Sequence, residues 1–350
     1  MDVFRTDRIR NVVLLGHGGA GKTTLAEAMA YLAGMTNRLG RVEDGNTVSD
    51  YDKEEIKRHF SISTTLIPVP WDKVKINVLD TPGYFDFVGE VEEAVSAADA
   101  AIIVVTAGAG QKPGETRLDL VKKNVAIFKS IIPEIAKRNC KGILLIVANP
   151  VDILTQVAVK LSGFPENRVF GSGTTLDSAR LKYLLGEHLQ VDARSVHAWI
   201  IGEHGDSEIV AWSRANVSGV PISEFCEMRG YTEHDEHMEE IAQGVKNSAY
   251  KIIEKKKATY YGVAMAVRRI CEAIIRDEKS VLPVSSIQHD TYGIEGVTLS
   301  MPAIVGKNGI EKQLAIKLNE KEQEALKKSA EALKEVLELS LIHISEPTRP

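Results

Sequence analysis

The chain has 350 residues, 44% hydrophobic and 26% charged, which excludes a disordered or fibrous protein and is enough length for two domains. Its formal net charge of −5 excludes a global pull toward nucleic acid or an anionic membrane, so no partner of either kind is expected. The three cysteines (Cys140, Cys226, Cys271) lack metal-ligand spacing, the N-terminus is not a signal peptide, and no uncharged apolar run reaches the ~20 residues of a membrane span; a reducing cytoplasm fits best.

In chain order, Asn11-Val-Val-Leu-Leu15 is an apolar run of the kind buried in a parallel sheet. It feeds the glycine loop Gly16-His-Gly-Gly-Ala-Gly-Lys-Thr-Thr24, and Leu25 to Leu32 then reads as a helix. Two motifs overlap in the loop. Gly16, Gly18 and Gly21 satisfy G-x-G-x-x-G, while Gly16, Gly21, Lys22 and Thr23 satisfy G-x-x-x-x-G-K-[ST]. Both bring backbone N–H groups and a helix N-terminus against phosphate. The residues after the glycines favour the second motif. Lys22 suits terminal phosphates and the Thr23 hydroxyl suits Mg²⁺, whereas a dinucleotide loop would do better with a small apolar residue at position 22. Further on, Lys75 to Gly83 reads as a strand ending in Asp-Thr-Pro-Gly. Asp80 is placed to hold a Mg²⁺ shell through water, and Gly83 to offer its N–H to a γ-phosphate. Asp-x-Pro-Gly alone is an ordinary turn sequence; the two motifs in this order carry the weight.

Arg117 to Asn139 is predicted as a long helix with Leu118, Val121, Val125, Phe128, Ile132 and Ile135 on one face, kinked or split at Pro133. Gly142 to Ala148 reads as a buried strand ended by Asn149-Pro150. A further helix precedes a short strand at Arg168-Val-Phe170. Ser195 to Ile201 is predicted as a strand that delivers Gly202-Glu-His-Gly-Asp206 into a loop. Met238 to Glu272 is expected to be largely helical, and Val281 to Val305 to form antiparallel strands. Asn319 to Glu338 is an amphipathic helix with Asn319 as its cap, Glu322 at the third position, and a stripe of Leu326, Ala330, Leu333 and Leu337. Residues 339–350 are expected to break the helical pattern.

Four places in this second part carry chemistry. His204 sits between glycines after a strand, and histidine exchanges protons near neutral pH; by itself such a histidine is more often a turn residue. Asp177 and Arg180 share a helix face at i, i+3, where a surface ion pair is the plain reading. Arg117 follows the Pro/Gly stretch Gln111 to Thr116, which has the composition of a movable lid, and its plain reading is a solvated helix start. Thr259 lies in Ala258-Thr-Tyr-Tyr-Gly262, where helix packing is the plain reading. Taken together they match the needs of 2-oxo acid reduction: a carboxylate clamp, a polariser for the ketone and a proton for the alkoxide.

The whole of residues 111–338 resembles the bacterial L-lactate dehydrogenases. The resemblance rests on Gln111-Lys-Pro-Gly-Glu-Thr-Arg117, Ala148-Asn-Pro-Val-Asp152, Gly171 to Arg180, Ile201-Gly-Glu-His-Gly-Asp206 and Ala258-Thr-Tyr-Tyr-Gly262. It implies His204 as proton donor and acceptor with Asp177 as its partner, and Arg117 and Arg180 on substrate. It implies Gln111 as the residue selecting lactate/pyruvate over malate, with Asn149 and Thr259 lining the site. It also implies an NAD site that includes Gly108, Ala109, Ser130, Val147, Ala148, Asn149 and Ser172. Lys182 and His197 match positions that bind fructose 1,6-bisphosphate in allosteric members, and the family is homotetrameric. Residues 1–110 resemble the start of the translation GTPase elongation factor G. That resemblance implies phosphate and Mg²⁺ contacts, with GTP as ligand, at Gly16, Gly21, Lys22, Thr23, Thr24, Asp80 and Gly83. Tyr84 stands in place of the usual water-positioning histidine and Ser61 in place of the switch threonine, and no guanine-reading N-K-x-D follows. Residues 339–350 resemble a translated sequencing adapter.

These resemblances imply an α/β fold: an open parallel Rossmann- or P-loop-like sheet followed by an α+β lactate dehydrogenase C-terminal domain. The expected units are 1–110 (GTPase-like), 111–150 (remainder of the dinucleotide-binding domain), 151–338 (catalytic domain) and 339–350 (non-native tail). The expected activity is hydride transfer between NAD and lactate/pyruvate, impaired by loss of the native N-terminal NAD-binding half. The alternatives are a GTP-binding translation-factor fragment and a non-functional chimera.

Overall fold

Strands that alternate between two apolar faces need a layer of helices on each side, and the chain supplies both. The computed structural model describes residues 4–71, 73–97, 102–109, 117–137, 142–231, 234–248, 252 and 261–345. The first part runs β1 (Ile9–Leu15), α1 (Lys22–Leu32), α2 (Lys53–Arg58), β2 (Thr65–Trp71), β3 (Val74–Asp80), α3 (Val88–Ala97), β4 (Ile102–Val105), α4 (Arg117–Lys137), β5 (Ile143–Ile146), α5 (Val151–Ser162) and β6 (Val169–Gly171). The second runs α6 (Thr175–Leu189), β7 (Val196–His197), β8 (Ile200–Ile201), β9 (Ile209–Val210), β10 (Asn216–Val217), β11 (Val220–Pro221), α7 (Ile222–Met228) and α8 (His234–Lys246). It continues with α9 (Tyr261–Ile275), β12 (Ser280–Ile287), β13 (Thr298–Gly306), β14 (Gly309–Gln313) and α10 (Glu320–Ser345).

One nine-stranded sheet has the order β14-β13-β12-β6-β5-β4-β1-β3-β2. The five central strands, β6-β5-β4-β1-β3, are parallel. Along β1, Val13 and Leu15 join the cluster formed with α4, α5 and α10, while Val12 and Leu14 join the one formed with α1 and α9. The expected α/β class stands, with β12, β13 and β14 added in antiparallel sense through the Ser285↔Gly171 pair.

Four expectations need correction. The N-terminal sheet is not wholly parallel: β2 runs antiparallel to β3, from Thr65↔Asp80 to Trp71↔Val74. The connection between Trp71 and Val74 is too short for the crossover a parallel pair requires, and Pro68 and Pro70 are tolerated because β2 is an edge strand. Pro133 does not split α4, which runs unbroken from Arg117 to Lys137. Burial of Val121, Val125, Phe128, Ile132 and Ile135 along one face holds it together. The strand expected at 195–201 is two short strands in different sheets, β7 pairing β10 and β8 pairing β9. Finally, α10 continues to Ser345: nothing between Leu339 and Ser345 is Gly or Pro, so the helix has no breaker before Pro347.

β1 lies between β3 on one side and β4 on the other. Chain connections therefore leave it in opposite directions, and a crevice opens at the carboxyl ends of β1 and β4, where ligands bind in open α/β sheets.

Candidate active site

The first turn of α6 is tied down before it presents any chemistry. Thr174 donates from Oγ1 to the Ile200 carbonyl at 2.5 Å, and the Ser178 hydroxyl accepts from the Ile200 amide at 2.9 Å. Helix start and β8 are thus one unit. The chain then leaves β8 through Gly202, whose φ of +87° suits glycine and where a Cβ would press on Ser329 Oγ at 3.0 Å. This turn brings His204 back over α6.

His204 Nδ1 lies 2.6 Å from Asp177 Oδ2. The carboxylate accepts, so Nδ1 carries the proton and Nε2 faces the site. The His204 amide donates to Asp152 Oδ2 at 2.7 Å, and Asp152 Oδ1 accepts from Ser285 Oγ at 2.5 Å. The loop is therefore fixed to α5 and β12 as well as to α6. Arg180 Nη1 reaches the other oxygen of Asp177 at 3.3 Å. Burial alone would raise Asp177; His204 and Arg180 outweigh it and hold the carboxyl below its ordinary range. Burial alone would lower His204; the charge and hydrogen bond of Asp177, with Asp152 and Glu208 behind them, lift it to about 9.

Sequence reasoning missed Glu208. Its carboxylate, Asp177 and His204 each bring an atom within 4.8 Å of the others. Burial and the charge of Asp177 push Glu208 up to about 7. No motif singles it out, because it comes after the Gly202 to Asp206 turn and reaches the site only through that turn's path.

The segment expected to hold NAD lies at the ends of β4, β5 and β6. Val147 and Ala148 donate to the Val105 carbonyl at 3.0 and 3.3 Å, and Ser172 donates to Ile146 at 2.8 Å. Gly108 has no room for a side chain free of contact, since a Cβ would sit 3.2 Å from that of Ala148. Asn124, also missed, joins these pieces. It accepts from the Ala109 amide at 2.7 Å and donates to the carbonyls of Asn149 at 2.7 Å and Ala109 at 3.3 Å. A fully buried polar residue in the apolar stripe of α4 is the signal that could have found it. Asn149 is exposed at the crevice rim. Ser130 is exposed on α4, its hydroxyl turned to the Ile127 carbonyl. Gln111 and Thr259 lie outside the described residues; Arg117 opens α4, and its side chain lies outside them too.

The glycine loop completes the crevice. Gly21 caps α1 in the left-handed region with no side-chain cap. Lys22 is buried and donates to the carbonyls of Gly16 at 2.7 Å and His17 at 3.1 Å. β3, the neighbour of β1, ends in Asp80, which is fully buried. Its Oδ2 accepts from Thr23 at 2.7 Å and Ser49 at 3.3 Å, while Oδ1 has no partner. Ser61 lies 3.2 Å from the Thr23 hydroxyl. The Gly18 amide donates to the Gly83 carbonyl at 2.8 Å, closing the Asp-Thr-Pro-Gly turn over the loop. Thr24 is half-buried in the first turn of α1. Burial raises Asp80 to about 6 against its hydrogen bonds, and lowers Lys22 to about 8.

A dinucleotide fits this crevice at two of three points. The loop amides suit its pyrophosphate, with Lys22 in place of the small apolar residue a dinucleotide loop prefers, and the rim from Gly108 to Ala109 and Val147 to Asn149 suits its nicotinamide end. The ribose end differs: the carboxylate at the end of the strand beside β1 is Asp80, and it is turned inward on Thr23 and Ser49. Of the remaining residues, Lys182 is half-buried on α6 beside the charge of Arg269, which with burial lowers its pKa, and His197 is exposed on β7.

Two family models match the chain: the lactate/malate dehydrogenase NAD binding domain at residues 79–171, and the lactate/malate dehydrogenase alpha/beta C-terminal domain at 174–342. The L-lactate dehydrogenase of Acetivibrio thermocellus is 46% identical over 333 residues, covering 94% of this chain and 96% of its own. That of Thermoanaerobacter pseudethanolicus is 51% identical over 279 residues, covering 78% and 89%. Among solved structures, minor L-lactate dehydrogenase from Enterococcus mundtii in the ligands-bound form is 35% identical with a TM-score of 0.74, covering 95% of this chain and 98% of its own. A lactate dehydrogenase enzyme from a Medee basin deep-sea metagenome library is 34% identical with a TM-score of 0.75, covering 95% and 99%. The family models begin inside β3, run across Gly110 and end at 342, which corrects the expected start at 111 and places the first residues beyond 338 within the family. By these matches the chain belongs to the lactate/malate dehydrogenase family.

Proposed function

We propose that the chain is an NAD-dependent L-lactate dehydrogenase that interconverts pyruvate and lactate. The observation that carries this is the Asp177 carboxylate shared by His204 at 2.6 Å and Arg180 at 3.3 Å. When bound, NADH supplies the hydride that reaches the ketone carbon. His204 gives its Nε2 proton to the forming alkoxide, and in the reverse direction takes it from the lactate hydroxyl. Asp177 keeps the Nδ1 proton in place and stabilises the imidazolium. Arg180 clamps the substrate carboxylate with paired N–H groups, and Arg117 polarises the ketone. Asn149 and Thr259 line the substrate, and Gln111 disfavours a second carboxylate where an arginine would reward it. Gly108, Ala109, Val147, Ala148, Asn149 and Ser172 hold NAD along the strand ends, with Ser130 further out on α4.

The test is pyruvate reduction by the His204→Gln variant. A fall in kcat of about 10²–10⁴-fold with pyruvate binding retained is expected; wild-type turnover would overturn the reading. Lys182 and His197 form part of a fructose 1,6-bisphosphate site in a cytoplasmic homotetramer. Sedimentation with and without the effector checks both: a dissociated chain indifferent to the effector overturns them. Among the described residues no helix is long and apolar enough to cross a membrane.

A second reading concerns the glycine loop, which precedes the residues matched by the two family models. The convergence of Thr23, Ser61 and Ser49 on Asp80 favours a Mg²⁺-bound nucleoside triphosphate such as GTP there. Gly16, Gly21, Lys22, Thr24 and Gly83 would face its phosphates, with Thr23 and Asp80 on the metal side.

A further inference from the structure

We propose that the glycine loop is a single phosphate site which the pyrophosphate of NADH and a Mg²⁺-bound triphosphate occupy in turn, so that Mg·triphosphate of any base blocks the dehydrogenase by excluding NADH. The inference rests on both readings above and makes their two ligands exclude one another in the same crevice.

Position comes first. The loop leaves β1 beside the end of β4, and a Cβ on Gly16 would stand 3.0 Å from the Ala107 amide nitrogen. The loop therefore abuts the segment that continues into Gly108 and Ala109. A dinucleotide lying across this switch point has its nicotinamide at the ends of β4 and β5. Its pyrophosphate then falls at the N-terminus of α1. A triphosphate bound through the same amides occupies that volume, and the two ligands cannot be present together.

The chemistry serves both. α1 runs from Lys22 to Leu32 and starts with no side-chain cap, so its first amides are free to meet an anion. Lys22 is held over the loop by two carbonyls of the loop itself. Exchanging a neutral carbonyl for a phosphate oxygen strengthens each of its bonds. Asp80 marks the difference between the ligands. Its Oδ1 is buried without a partner, and its Oδ2 already gathers the Thr23 and Ser49 hydroxyls, with Ser61 next to Thr23. Hydroxyl and carboxylate oxygens gathered around one point suit a hard divalent cation. NADH brings no cation, whereas a triphosphate carries Mg²⁺ with it, so Asp80 and Thr23 favour the triphosphate alone. No N-K-x-D occurs in the sequence to read a guanine, and the recognition therefore belongs to the phosphates and the metal.

The experiment is equilibrium dialysis of the full chain against NADH, with and without Mg²⁺ plus tripolyphosphate, ATP or GTP. Pyruvate reduction is followed in parallel. The expected result is an apparent NADH Kd that rises in proportion to each Mg·triphosphate, tripolyphosphate included, and is unchanged when EDTA removes the metal. Thr23→Ala should abolish the Mg²⁺-dependent competition, because the hydroxyl that Asp80 gathers for the cation is gone. Lys22→Ala should weaken both ligands by about tenfold, the worth of one charge-assisted hydrogen bond. Simultaneous binding of NADH and Mg·tripolyphosphate at undiminished affinity overturns the proposal, as does competition by GTP alone. If NADH binds and turns over but no triphosphate binds, the inference falls and the dehydrogenase reading stands. If Mg·tripolyphosphate binds and NADH does not, both fall.

Discussion

His204 is a residue whose protonation the structure has already biased. With Asp177 beside it the imidazolium persists to about 9. Pyruvate reduction needs that proton, so kcat/KM should stay flat at neutral pH and fall as pH rises through about 9. Asp177→Asn removes the charge that lifts the group, and the fall should move toward the ordinary histidine value of roughly 6.5. An alkaline limb that stays in place in that variant would refute the pairing. The same sign governs stability: the His204–Asp177 contribution is fully present below the unfolded histidine pKa and is lost as pH rises through about 9. Asn124 acts differently, through geometry. Replacing it with Ala leaves the Ala109 amide and the Asn149 carbonyl without their partner, at about 1–3 kcal/mol. A raised NADH Kd together with a lower Tm is expected; an unchanged Kd would reduce Asn124 to a packing role. Both residues bear on what could be read beforehand. His204, Asp177 and Arg180 belong to local patterns that survive in one dimension. Asn124 and Glu208 acquire meaning only when the end of β5 and the Gly202 turn bring distant segments against them.

Elements were legible where a pattern extends over several turns. α10 is one: Asn319 Oδ1 accepts from the Glu322 amide at 2.9 Å and Glu322 Oε2 accepts from the Asn319 amide at 3.1 Å, the reciprocal cap its sequence predicts. Its other duty was hidden. Glu322 also accepts from the Ser213 amide at 2.8 Å, and Ser329 accepts from the Glu203 amide at 2.9 Å. The helix thus braces the start of the loop that carries His204 and the turn that follows β9. Asn319→Ala should cost about 1 kcal/mol of stability by thermal unfolding and leave kcat unchanged. Glu322→Ala should cost more and also lower kcat, and equal effects of the two would dismiss the brace. β2 was not legible, because its two prolines argue against a strand unless its edge position is known.

At the scale of the molecule, the sheet ignores the boundary that the motifs imply. β4 sits between β1 and β5, and α9 from the second part packs on α1 from the first. The Trp71 indole donates to Glu272 Oε1 at 3.0 Å, and the Arg268 guanidinium lies 3.6 Å above its ring. Trp71 reports on the first part, and Trp199 and Trp212 on the second. Urea unfolding should therefore give one transition, identical by far-UV circular dichroism and by the fluorescence of Trp71→Phe and of the double variant Trp199→Phe/Trp212→Phe. Separate midpoints for the two variants would show two independent bodies.

The inward turn of Asp80 has a further consequence, for the choice between the two forms of the cofactor. A free carboxylate at the end of the strand beside β1 accepts from the adenosine ribose and repels the extra 2′-phosphate of NADPH. Here that carboxylate is spent on Thr23 and Ser49. With that carboxylate buried and turned away from the ribose, the ratio of kcat/KM for NADH over NADPH should be close to one. A preference for NADH of a hundredfold, about 2.7 kcal/mol, would mean that another acidic group guards the ribose.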